Sequence, residues 1–321
     1  MSMRNNMFSW CLIFTSVLVC ATAPNLFGIW VGMEVNLFGA LWFLVNNKKS
    51  TVTAGFKYYF SQCFGSSLII MGIVVAHWTA NISVITLVMC GLGMKMGAAP
   101  FHFWVVEVLD SARPSCMWVI LTINKFIPLY TMCNSGYTGG YLVGMSAMSA
   151  LVGSICGMGA VRLSRFIGYS SISNTGWSLA ACMLGPEVFL WFILAYWVSL
   201  GGFLSLMGGD GFLYCVSGGS VRRPPFSVGV CVWLLALGGF PPFAGFFAKA
   251  VVFIVIFEFI PWLGLFLAVS TTISWGYYLF VFSFSIICGS KSVYSKWSDR
   301  SMVVAPLMGV IYCKNALTFF M

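Results

Sequence analysis

Charge is what this sequence has least of. Only 7% of its residues are Asp, Glu, Lys or Arg, where a soluble domain carries about 25%. Acids are the scarcer sign, seven against sixteen basic residues, and there are only two His. The twelve Cys include no CxxC pair, and none has a His at ligand spacing. Haem, zinc and iron–sulfur sites are therefore not expected, and the thiols read as buried, reduced small hydrophobes. No GxGxxG motif follows a strand, no phosphate loop is present, and no Ser/His/Asp set stands out. Bond-making chemistry, a resident metal or a resident cofactor is thus not expected of this chain. The net charge of +9 would point to nucleic acid in a soluble protein, but its placement here has another cause.

What fills the chain instead is apolar: 60% of the residues are hydrophobic and the mean hydropathy is +0.96. The pattern predicts an all-α polytopic membrane protein, with one membrane-embedded domain over residues 1–321. We read about eleven spans of roughly 20 residues, near 7–23, 25–45, 58–77, 81–108, 115–133, 141–161, 166–184, 187–208, 226–257, 261–288 and 302–321. The first has features of a signal peptide, but equally apolar segments follow it throughout, so it is kept as a span. With the N-terminus on one side, alternation puts Arg4, Lys48, Lys49, Lys57, Arg113, Arg162, Arg165, Arg222, Arg223, Lys291, Lys296 and Arg300 together on that side. The opposite loops hold no Lys or Arg. This is the positive-inside pattern, and a miscounted span would scramble it.

The fourth and ninth spans are too long for one straight crossing, and each contains proline: Pro100 in one, Pro241 and Pro242 in the other. Proline removes a backbone donor and breaks or kinks a helix, so both are expected to be discontinuous. They lie five spans apart. An odd repeat of five inserts consecutive units in opposite senses, which predicts inverted repeats of spans 1–5 and 6–10 plus a C-terminal helix. Broken helices at matching places in two halves point to a transport site.

Four ionisable residues fall well inside spans: Glu34, Lys95, Lys125 and Lys249. A lysine at mid-bilayer costs about 2.5–3.5 kcal/mol on insertion scales. One acid does not neutralise three lysines, so a purely structural set of ion pairs explains them poorly. Desolvation weakens a lysine's hold on its proton and a nearby carboxylate strengthens it. At about 7 Å and an effective dielectric near 20, a Glu–Lys pair is worth about 2.4 kcal/mol. Glu34 is therefore expected to switch a lysine between holding and releasing a proton. His102, past the first break, and Asn174, in the polar run Ser170 to Thr175, are candidate relay groups. For that run, packing between helices explains the hydroxyls equally well. Lys314 sits near a span end, where it reaches the interface. Glu107, Asp110 and Arg113 read as solvated loop charges on the basic side; Glu187 and Glu258 fall on the other side and flank an exit in a proton-transport reading.

Four stretches carry a family resemblance: Gly-Met-Lys-Met-Gly-Ala-Ala-Pro-Phe-His-Phe-Trp (93–104), Asn-Lys-Phe-Ile-Pro (124–128), Tyr-Ser-Ser-Ile-Ser-Asn-Thr-Gly-Trp (169–177) and Gly-Gly-Phe-Pro-Pro-Phe-Ala-Gly-Phe-Phe-Ala-Lys (238–249). With Glu34 in Val-Gly-Met-Glu-Val-Asn, they resemble the antiporter-like membrane subunits of respiratory complex I, in order from about residue 25 to 260. The resemblance implies two inverted five-helix bundles. It implies that Glu34 and Lys95 form a charge pair, Lys125 a connecting lysine and Lys249 the lysine of the second broken helix. It further implies a mitochondrial inner-membrane protein with its N-terminus and basic loops on the matrix side. Such a subunit binds no cofactor itself, inside a complex that uses NADH, FMN, iron–sulfur clusters and ubiquinone. The implied neighbours are the small chain 4L, the antiporter-like chain 4, the lateral helix of chain 5, and cardiolipin; nucleic acid is not among them. Two positions depart from the family pattern. Asn174 replaces a frequent His and removes a titrating step, and Val106 replaces a frequent Pro before Glu107, which predicts a straighter second half of span 4. Two other classes stay open: a stand-alone or Mrp-type cation/proton antiporter, and a purely structural membrane-arm subunit.

Overall fold

The computed structural model describes residues 2–45, 49–78, 82–136, 139–207 and 228–289. Thirteen helices account for them: α1 (Ser2–Thr22), α2 (Leu26–Val45), α3 (Lys49–Trp78), α4 (Ile82–Met96), α5 (Phe103–Leu109), α6 (Pro114–Leu121), α7 (Ile123–Asn134), α8 (Gly140–Met158), α9 (Leu163–Leu184), α10 (Pro186–Met207), α11 (Val228–Gly238), α12 (Ala244–Phe259) and α13 (Pro261–Gly289). There is no strand among the described residues. Among the described residues, six segments are long and apolar enough to cross a bilayer: Leu26–Val45, Val52–Ala76, Pro114–Asn134, Gly140–Met158, Pro186–Met207 and Pro261–Ser283. The chain is an all-helical, multi-pass membrane protein. The span at 302–321, with Lys314, lies outside the described residues, as do Lys48, Arg222, Arg223, Lys291, Lys296 and Arg300.

Both expected breaks are present, α4/α5 and α11/α12. A third was not expected. The span at 115–133 is divided at Thr122 (φ −111°, ψ −78°) into α6 and α7. Pro128, inside α7, lacks the N–H that would bond the Asn124 carbonyl, so this helix is weakened on either side of Lys125. A second difference concerns α3. It starts at Lys49 rather than near residue 58, and Lys57 stands on the helix instead of in a loop. At 30 residues it is about 45 Å long, against a hydrocarbon core of about 30 Å.

The chain forms two compact units, Met1–Met145 and Ser146–Met321. In the first, α3 packs on α2, α4 and α5, α1 packs on α2, and α7 packs on α4. The crossing of α3 and α4 is backbone against backbone. A Cβ on Gly91 would lie 2.7 Å from the Gly65 carbonyl, and one on Gly65 would lie 3.0 Å from Lys95 Cγ. Small residues allow this approach where no hydrophobic effect drives helices together. Here they seat the lysine stem against α3. In the second unit α9 is the central helix, packed by α10, α12 and α13 and buried without interruption from Ser170 to Cys182. Gly153 of α8 meets the backbone of Ser173, and a Cβ on Gly176 would lie 2.6 Å from Ala150 N.

Candidate functional site

The two breaks are closed by the same backbone motif. In the first, Gly97 N donates to Met94 O and Ala98 N to Gly93 O; in the second, Gly239 N donates to Ala236 O and Phe240 N to Leu235 O. This is the Schellman closure, which needs a left-handed residue after the helix and favours glycine. Gly97 and Gly239 supply it at φ +70° and +71°. Each chain then turns once more, with Phe101 N on Ala98 O and Phe243 N on Phe240 O, before the next helix starts. Ala99–Pro100 is cis. Pro100, Pro241 and Pro242 are exposed on the outer side of these turns.

Lys95, two residues before its left-handed glycine, is 4% exposed. Its Nζ lies 2.9 Å from Glu34 Oε1. The pair is a direct contact rather than the 7 Å separation used above, and the attraction rises accordingly. The carbonyls at the end of α4 take neutral donors. Trp104 Nε1 donates to Met94 O at 3.0 Å and Gln62 Nε2 to Lys95 O at 3.1 Å. Lys249 lies beyond its break, on the first turns of α12. Its Nζ donates back to Gly238 O at 3.2 Å, at the C-terminal end of α11, and stands 6.0 Å from the centre of the Trp177 ring on α9. A cation is favoured at a helix C-terminus. Gly239 also makes room for it, since a Cβ there would lie 3.1 Å from Lys249 Cδ.

Lys125 is buried on α7 at 3% exposure. Its neighbour Asn124 donates through Nδ2 to Tyr58 Oη at 2.8 Å. His102 caps α5 without a side-chain bond to it. The ring is buried, and Nδ1 has no partner among the described residues. Asn174 is buried on α9. The hydroxyls around it turn inward on their own helix: Ser170 to Ile167 O, Ser171 to Gly168 O and Thr175 to Ile172 O. Val106 is buried in α5, which runs without interruption to Leu109. Glu107 is not a loop charge; it stands on α5 and pairs with Lys57 of α3. Glu187 opens α10 and Glu258 closes α12, both exposed. Sequence reasoning missed Tyr58 and Gln62. Their signal was two polar groups four residues apart in an apolar helix, which places them on one face.

Comparison with known proteins turns this geometry into a family. The family model described as "NADH:quinone oxidoreductase/Mrp antiporter, TM" matches residues 23–274. The chain belongs to that family. Within it, the chain is 30% identical over 265 residues to NADH-ubiquinone oxidoreductase chain 2 of Locusta migratoria, covering 78% of this chain and 77% of the relative. It is 28% identical over 256 residues to the same protein of Anopheles gambiae, covering 76% and 74%. Its fold is similar to a chain of respiratory complex I from Thermus thermophilus, with a TM-score of 0.80 at 20% identity, covering 98% of this chain and 78% of that one. It is also similar to a chain of the Mrp complex from Dietzia, with a TM-score of 0.72 at 16% identity, covering 85% and 59%.

Proposed function

We propose that the chain is a membrane-arm subunit of a respiratory NADH:ubiquinone oxidoreductase and moves protons across the mitochondrial inner membrane. Family membership and the chain 2 relatives support this reading. The observation that carries it is the contact between Glu34 and Lys95, an acid and a base held together beside a broken helix. Neutralising or displacing Glu34 weakens the hold of Lys95 on its proton, and restoring it strengthens that hold. Lys125 and Lys249 are the further proton carriers, His102 is a relay group, and Asn174 orients water without carrying a proton. We take residues 1–321 to act as one proton-translocating domain of inverted repeats, with its N-terminus and basic loops on the matrix side. NADH, FMN, iron–sulfur clusters and ubiquinone belong to other subunits. Chains 4L and 4, the lateral helix of chain 5, and cardiolipin are its neighbours.

The test is Lys95→Met in the assembled complex. NADH oxidation coupled to proton pumping should lose this chain's share while the complex still assembles. Full pumping in that variant would sink the proposal in favour of a structural role. The Mrp-type reading has the fold likeness behind it. It predicts cation/proton exchange by the chain reconstituted alone, whereas the complex I reading predicts none.

A further inference from the structure

One side of α3 carries a graded series of contacts. At its outer end Lys57 Nζ lies 2.5 Å from Glu107 Oε2, with both side chains more than half exposed. Exposed pairs of this kind add only about 0–1 kcal/mol, so stability does not account for it. The next residue, Tyr58, is 1% exposed. Its ring packs on Trp104 with centroids 5.7 Å apart. Trp104 stands one turn before Glu107 on α5, so the two face the same way. Asn124 donates to the Tyr58 oxygen. The phenol therefore accepts there and keeps its own proton for another acceptor. One turn deeper Gln62 holds Lys95 O, and Gly65 bears on the Lys95 stem. Four buried polar atoms of this unit have no protein partner among the described residues, Asn124 Oδ1 and His102 Nδ1 among them. Buried polar atoms are satisfied, by water where protein offers nothing.

We propose that the α3–α5 seam is a gated proton port of the first unit: Lys57 and Glu107 form its mouth, the Tyr58–Trp104 ring pair closes it, and the Tyr58 phenol passes protons between the mouth and the Glu34–Lys95 pair. As the phenol releases its proton to the buried side it takes another from the mouth side, so no charge stays on it. The port rests on the proton-translocation reading above and adds to it a path and a gating residue.

The experiment compares three variants of the assembled complex in sealed vesicles, reading protons pumped per NADH oxidised. Tyr58→Phe keeps the ring and removes the hydroxyl; its ratio should fall as far as that of Lys95→Met. Glu107→Gln should give a smaller loss, restored by Glu107→Asp. If Lys95→Met fails to pump but Tyr58→Phe and Glu107→Gln pump fully, the port is wrong and the function stands. If Lys95→Met pumps fully, the functional reading falls and takes the port with it. An independent arm uses Gln62→Cys and a membrane-impermeant thiol reagent during turnover. Labelling only from the side that carries Lys57 supports the port. Labelling only from the opposite side, or none, overturns it even if the hydroxyl variant pumps poorly.

Discussion

The two broken helices share a backbone and differ in where the lysine stands. Counted from the left-handed glycine, Lys95 comes two residues before and Lys249 ten residues after. In the first break the cation is left to a carboxylate, because Trp104 and Gln62 satisfy the carbonyls of α4. In the second, Lys249 itself satisfies a carbonyl of α11. Glu107 holds the register position of Lys249 in the first unit, where it faces outward to Lys57. A helix break thus provides a scaffold of free carbonyls, and what is placed against them decides whether the nearby lysine meets an acid or a dipole. A carboxylate is itself titratable and a carbonyl is not. The first lysine therefore has a titratable partner beside it, and the second a dipole that does not titrate.

Substitutions rank this difference. Lys95→Met leaves Glu34 without its partner. The loss of folding stability should lie toward the lower end of about 3–5 kcal/mol, because the Glu34 side chain keeps 22% of its exposure. The double variant with Glu34→Gln should recover part of it, read as the thermal transition of the purified complex. Additive losses would mean that the pair is not coupled. Gly97→Ala comes next. A left-handed alanine costs about 1–2 kcal/mol, and its Cβ would also strike Val105, a branched side chain on the next helix. Gly239→Ala carries the same backbone penalty, but its Cβ meets the flexible Lys249 stem. It should be the milder of the two in stability and the more selective in damaging proton movement. Lys249→Met leaves one carbonyl unpaired, for about 1–3 kcal/mol. A loss as large as that of Lys95→Met would erase the distinction drawn here. Trp104→Phe removes one neutral hydrogen bond, worth about 1 kcal/mol, and should be the smallest of these effects by the same melting measurement.

The parts that could be read from the sequence are those where a rare residue interrupts a common background. Pro100 and Pro241–Pro242 mark the two breaks, and a single acid among apolar residues marks Glu34 as the partner of Lys95. The break at Thr122 was hidden because no proline or glycine stands at it, and threonine itself does not stop helices. Lys57 was read as a loop charge because exposure on a helix that outruns the bilayer looks the same in sequence. The partner of Lys249 was illegible for a deeper reason. Every residue has a carbonyl, so composition does not mark the one that is left free. The same holds for the hydroxyls of Ser170, Ser171 and Thr175, whose return to their own helix depends on side-chain rotation rather than spacing.

The close seam of α8 and α9 bears on the order of assembly. Gly153 and Gly176 let these two helices touch along their backbones, and the two are consecutive in the chain. Their contact is available as soon as both have left the ribosome, before α12 has been made. Trp177, which faces Lys249, lies on α9. Lys249, half-buried on α12, therefore arrives at a wall already standing, and its entry into the membrane is eased by a partner older than itself.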